Sequence, residues 1–160
     1  YAILRYFNVC GASPSGKIGL MSNTDSLFKN ISLAIIKKKP IIKIYGNDYS
    51  TPDGTTIRDY IHVSDLANIH YKVLKKVSEG HKSLILNCGY NRGLSVNEVI
   101  NEFKKQSKKK IEILYNKRRA GDLAIVISNN KKLKKNIKWI PEFSKLSKIV
   151  KSCIKLEKKS

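Results

Sequence analysis

Acidic residues are scarce. Asp and Glu number 12 against 32 Lys and Arg, a formal net charge of +20. Such an excess points first to a polyanion partner. Nearly all of it is lysine, however, in runs such as 37–39, 108–110 and 131–132 that fall at helix ends or on polar helix faces. Aromatic residues do not interleave with these runs, which argues against a base-stacking platform. Solvated faces explain the charge better than a specific nucleic-acid surface, leaving room only for weak, salt-sensitive polyanion binding. Cysteine is limited to Cys10, Cys88 and Cys153, without a C-x-x-C pair, and His62, His70 and His81 stand alone. Neither a metal site nor a disulfide framework is supported, and the histidines are assigned structural or surface roles. No apolar run approaches the roughly 20 residues that span a bilayer, so no membrane partner is expected. No signal peptide is visible, and the cytoplasm is the default compartment. Internal repeats and low-complexity linkers are also lacking.

What is present is an alternation of strand-like and helix-like segments, the pattern of an α/β fold, in 160 residues, enough to bury a core. Residues 2–8 form a buried strand with nothing before it to pair with, so the chain reads as the downstream part of a longer protein. After a polar loop over 13–26, a helix is expected over 26–38, with Leu27, Ile31, Ala34 and Ile35 on one face and Pro40 as its stop. Strands follow at 41–45 and 55–63. Ser64 or Asp65 caps the next helix, which buries Leu66, Ile69, Val73, Leu74 and Val77 and ends at Gly80. A short strand at 84–88 precedes a doubly signalled helix start, where Ser95 and Glu98 form a capping box and Leu94 staples onto Val99. Residues 111–115 are a strand and 123–127 are extended. Residues 128–136 form a short basic helix, closed by Trp139-Ile140-Pro141. A last helix is capped by Ser144, and 157–160 form a polar tail.

Two stretches carry chemistry. The first runs from Tyr45 to Asp65. Gly46, Pro52 and Gly54 steer its backbone through consecutive turns, and it then enters the strand at 55–63. There Ile57, Ile61 and Val63 share one face, while Arg58, Tyr60 and His62 share the other. A polar, aromatic face with one arginine suits a flat anionic ligand, with Arg58 as a bidentate phosphate clamp. Pairing of Arg58 with Asp53 or Asp59 at a solvated edge fits the pattern equally well. The second stretch is Arg118-Arg119-Ala120-Gly121-Asp122 at a strand end. A guanidinium grips phosphate, glycine permits close backbone approach, and a carboxylate accepts from ribose hydroxyls. Tyr71 and Lys75 have the Y-x-x-x-K spacing, but they lie in a scaffold helix and are set aside.

The turn Asp53-Gly54-Thr55 before Arg58-Asp59-Tyr60-Ile61-His62-Val63 closely resembles the signature region of the UDP-glucose 4-epimerases, extended short-chain dehydrogenases/reductases. The likeness runs from Leu4-Arg5-Tyr6-Phe7-Asn8 to Trp139-Ile140-Pro141. It implies the C-terminal part of a Rossmann-type NAD-binding fold plus a smaller α/β substrate domain, with residues 1–8 and about 64–88 packing on the Rossmann part. It implies NAD as cofactor, a UDP-hexose as substrate, reversible C4 epimerisation through a 4-keto sugar, and a homodimer at full length. Tyr6 and Phe7 are assigned to the cofactor, with Phe7 beside the nicotinamide, and Asn8 to the diphosphate-sugar region. Ser26 and Leu27 hold the nucleotide, Tyr45 packs on uracil, Arg58 and Arg119 clamp the diphosphate, and Asp122 meets the ribose. Arg118 is structural. Val126 stands where some members carry a pocket-narrowing tyrosine, which implies room for UDP-N-acetylglucosamine. The catalytic Y-x-x-x-K and the G-x-G-x-x-G unit of the family are not found in this chain, so the chain alone is expected to be inactive. Another nucleotide-sugar epimerase and, farther off, a basic nucleic-acid-binding module are the alternatives.

Overall fold

Apolar alternation and local breakers divide the chain into thirteen elements within residues 1–20 and 26–158, which the computed structural model describes. In order they are β1 (Ala2–Tyr6), β2 (Asn8–Cys10), α1 (Leu27–Ile36), β3 (Ile41–Tyr45), β4 (Ile57–His62), α2 (Val63–Ser78) and β5 (Leu84–Cys88). Then follow β6 (Gly93–Ser95), α3 (Val96–Ser107), β7 (Glu112–Asn116), β8 (Ile125–Val126), α4 (Lys131–Ile137) and α5 (Leu146–Glu157). The expected capping box is formed: Ser95 accepts from the Glu98 N–H, and the Glu98 carboxylate accepts from the Ser95 N–H. Gly80, at φ +83°, follows the last turn of α2.

The strands pair mostly in parallel. β1 lies beside β5, β3 beside β7, and β2 beside β4, while β6 joins β4 in antiparallel fashion and β8 joins it in parallel. β4 is thus the hub, taking β2 along Tyr60–His62 and β6 and β8 along its first residues. Two apolar clusters flank it. One gathers α1, α3 and α5 around Phe28, Ile31, Phe103 and Ile149; the other gathers β1, α2, β5 and α4 around Ile61, Ile69, Leu86 and Leu133. A buried ion pair, Lys29 Nζ to Glu157 Oε1 at 2.7 Å, ties the start of α1 to the end of α5. Among the described residues, no helix is long and apolar enough to cross a membrane.

Several expectations are corrected. The strand expected over 2–8 is two strands in two sheets, with Phe7 between them, because β1 and β2 take different partners. Alternation along one segment does not encode such a change. Neither Ser64 nor Asp65 caps α2; His62 does, its Nδ1 accepting from the Ser64 N–H at 3.1 Å. Asp65 instead accepts from the backbone N–H groups of Glu142 and Phe143 and from the Tyr90 hydroxyl, pinning the loop before α5. The last helix has Lys145, not Ser144, at its N-cap. Glu157 is not part of a polar tail but a buried residue of α5. The basic helix begins at Lys131 rather than 128, because Ser128 and Asn130 are buried in hydrogen bonds to Asp59 and the Gly89 carbonyl. The polar loop expected over 13–26 includes residues 21–25, outside those described.

Candidate functional site

β4 was expected to present Arg58, Tyr60 and His62 together on a polar face. Arg58 and Tyr60 do line one cavity, while His62 lies outside that lining. Tyr60 and His62 are buried, because helices cover both sides of this strand. The Tyr60 ring meets Phe28 edge to face at 5.0 Å. Burial pushes the Tyr60 phenol well above its ordinary pKa, and the Cys10 thiol adds to this. His62 stacks on Phe143 at 4.4 Å, and its Nε2 lies 3.1 Å from the Ser152 hydroxyl. Burial lowers the imidazole pKa, against a smaller opposite pull from Asp65.

The lowered His62 pKa has a consequence for stability. A neutral imidazole favoured by the fold contributes stability that is fully present above the unfolded value of about 6.5 and is lost as pH falls through the folded value. Thermal melts of the full-length protein from pH 8 to 5 should fall with acidification. His62→Asn, which retains a capping acceptor without a titrating ring, should flatten that slope. Equal slopes would show that His62 does not carry it.

Arg58 remains at a cavity of about 280 Å³ between β3, the start of α1 and the loop after β7. Its Nη1 donates to the Ile57 carbonyl at 3.0 Å and to the Ala124 carbonyl at 3.4 Å, which fixes the guanidinium. Its Nη2 faces Asp122 Oδ1 at 3.5 Å. Neither Asp53 nor Asp59 is its partner. Asp53 holds the turn instead, accepting from the Thr55 N–H and hydroxyl and from the Ser95 hydroxyl. Burial pushes the Asp53 carboxyl up, but hydrogen bonds from Ser95 and Thr55 outweigh it, and the net shift is downward.

Asn8, Ser26, Leu27, Tyr45, Arg58, Arg119 and Asp122 all line this one cavity, although they come from five separate segments. Tyr45 ends β3, and the Arg119 guanidinium lies over its ring, 4.0 Å from the centroid. Ser26 is the N-cap of α1 but makes no side-chain capping bond, and the first turn carries no acidic residue. That helix start therefore favours an anion. Arg118 is held elsewhere, its Nε donating to Asp48 Oδ1 at 2.7 Å with its guanidinium over Tyr49. This hydrogen bond lowers the Asp48 carboxyl pKa.

Three expected residues lie outside that lining. Val126 on β8 is the strand neighbour of Arg58. Tyr6, half exposed at the end of β1, places its hydroxyl 2.5 Å from His70 Nε2. Phe7 is half-buried between β1 and β2. The sequence reading also missed contributors to the lining, notably Lys43, Asn30 and Thr56. The alternation of β3 could have pointed to Lys43, which shares a face with Tyr45. A larger, more apolar cavity of about 440 Å³ lies beside Val9, Ile18, Leu20 and Leu156. It contains none of the arginines, so size alone does not identify the polar site.

The chain is similar in sequence and fold to known proteins. The UDP-glucose 4-epimerase of Azospirillum brasilense is 40% identical over 157 residues, covering 98% of this chain and 45% of that protein. The crystal structure of UDP-glucose-4-epimerase from Stenotrophomonas maltophila, with bound NAD and formylated UDP-arabinopyranose, matches with a TM-score of 0.93 at 31% identity. That match covers 99% of this chain and 47% of the other. The UDP-Glc/GlcNAc 4-epimerase of Campylobacter jejuni matches with a TM-score of 0.80 at 38% identity, over 99% of this chain and 48% of that one. The chain thus spans about half the length of the relatives it matches, and its fold is the α/β, Rossmann-type arrangement expected from the sequence. Residues 1–89, more than half of the chain, match the NAD dependent epimerase/dehydratase family, and the chain belongs to that family.

Proposed function

We propose that this chain is the substrate-binding half of an NAD-dependent UDP-glucose 4-epimerase. The charge of the cavity carries the reading. Lys43, Arg58 and Arg119 outnumber Asp122 in its lining, and the two arginines match the two negative charges of a diphosphate diester. Arg58 and Arg119 take the diphosphate, Tyr45 takes the flat base, Asp122 accepts from the ribose, and Ser26 and Leu27 close the nucleotide from the start of α1. Asn8, at the start of β2, addresses the sugar end of the diphosphate. Binding concentrated on the nucleotide leaves the hexose loosely held, as C4 epimerisation demands, because the keto sugar must turn over between hydride removal and return.

NAD, when bound, supplies the acceptance and return of that hydride. Phe7 is a half-buried aromatic ring at the carboxyl end of a parallel strand, which fits a flat nicotinamide, and Tyr6 stands beside it. The phosphate-cradling glycine loop and the catalytic Tyr and Lys belong to the other half, so the chain alone is inactive in this reading. β1, α2 and β5, which share the second apolar cluster, form the side that packs on the Rossmann part. The lysine excess is solvated surface, and the full-length protein is a cytoplasmic homodimer.

Val126 favours one extension. It is the strand neighbour of Arg58, where a short side chain suits a pocket that admits an N-acetyl group, and the C. jejuni relative is a UDP-Glc/GlcNAc 4-epimerase. The test is a turnover panel on the full-length protein with UDP-glucose and UDP-N-acetylglucosamine. Conversion of both is expected. Turnover of UDP-glucose alone removes the wide-pocket reading, and turnover of neither removes the epimerase reading.

A further inference from the structure

Two of the three cations in the cavity are already engaged. Arg58 is tied to two carbonyls and Asp122, and Arg119 lies on Tyr45. The ammonium of Lys43, in the middle of β3, forms no hydrogen bond or ion pair among the described residues, although the residue lines the same cavity. It is exposed, whereas Ile42 and Ile44 on either side are buried in the core. Strand alternation therefore puts Lys43 on the face that carries Tyr45. Two residues along a strand span about 6.6 Å. A ring stacked on Tyr45 thus brings its polar edge within reach of the flexible lysine stem.

We propose that Lys43 reads the base: its ammonium donates to the C4 carbonyl oxygen of the pyrimidine stacked on Tyr45 and so selects uracil over cytosine. The inference rests on the cavity being a nucleotide site. An ammonium has three donors and no acceptor. Uracil turns carbonyl oxygens out at both sides of its ring nitrogen N3. Cytosine replaces one of them with an amino group, which meets the ammonium donor to donor. Discrimination then comes from the mismatch as well as from the bond formed. Lys43 acts on specificity, apart from the arginines that serve the phosphates common to both nucleotides.

The experiment is calorimetric titration of the full-length, NAD-loaded protein with UDP and with CDP. Wild type should prefer UDP. Lys43→Met, which keeps the length of the side chain and loses the charge, should weaken UDP about tenfold, or roughly 1.4 kcal/mol, and CDP less than twofold. Lys43→Arg should restore most of the preference. Equal losses for UDP and CDP would assign Lys43 to the diphosphate and overturn the proposal, as would no loss at all. If wild type binds UDP while Lys43→Met leaves it unchanged, this inference alone fails. If wild type does not bind UDP, the nucleotide site fails, and the inference with it.

Discussion

Arg58→Ala is expected to weaken UDP binding to the full-length protein by about 10- to 100-fold. A hydrogen bond to a charged group contributes on the order of 1.5–3 kcal/mol, and each 1.4 kcal/mol is a factor of ten. The pre-positioned guanidinium raises the expectation toward the upper end, because the Ile57 and Ala124 carbonyls already hold it at the cavity. Little ordering remains to be done on binding. The thermal midpoint should change less than the affinity, since Asp122 is partly in solvent and the Ala124 carbonyl keeps its bond from the Ile57 N–H. Arg58→Lys should recover only part of the affinity, because a point charge replaces a planar fork. Titration with UDP decides the matter. An unchanged affinity in the alanine variant would remove Arg58 from the site.

The adjacent position should behave in the opposite way. Asp59→Ala is expected to destabilise the fold by about 3 kcal/mol, because it strands the two buried donors of Ser128, each costing about 1–3 kcal/mol, and frees the part-buried N–H of Tyr90. The fully buried Asp59 carboxylate accepts from the backbone N–H groups of Tyr90 and Asn91, both at 2.9 Å, and from the Ser128 N–H at 3.2 Å and hydroxyl at 2.5 Å. Gly89 makes this close approach possible, since a β-carbon there would lie 2.7 Å from Asp59 Oδ2. Against a typical domain stability of about 5–15 kcal/mol, the loss should appear as a large fall in the thermal midpoint and in soluble yield. Asp59→Asn keeps one acceptor oxygen and should fall between. An alanine variant melting with wild type would mean that these hydrogen bonds are replaced by water. Two neighbours on β4 thus differ in what they touch: Arg58 lines the cavity, and Asp59 holds the segments at Tyr90-Asn91 and Ser128.

Much of this could be anticipated residue by residue. Arg58, Arg119 and Asp122 were singled out because a fork-shaped cation and a carboxylate at strand ends suit phosphate and ribose, and all three line one cavity. The Ser95 capping box and the stop at Gly80 followed from chemistry acting within a few residues. The structural role expected of His62 holds, but the burial of His62 and Tyr60 is not legible, because period-two alternation distinguishes two faces and cannot say that both are covered. The split between β1 and β2, the capping of α2 by an imidazole, and the burial of Glu157 against Lys29 all depend on partners far away in the chain.

The order of strands and helices, the turn before β4 and the residue types able to hold a nucleotide were set by the sequence itself, because periodicity, caps and turn residues act locally. The pairing of Arg58 with Asp122 and the seating of Asp59 against Ser128, 69 residues away, were decided by the packing of β4 among β2, β6 and β8, and the stacking of Arg119 on Tyr45 by the pairing of β3 with β7. Side chains distant in sequence meet only where the sheet topology brings their strand ends together, and no local pattern in a single sequence records which ends those are.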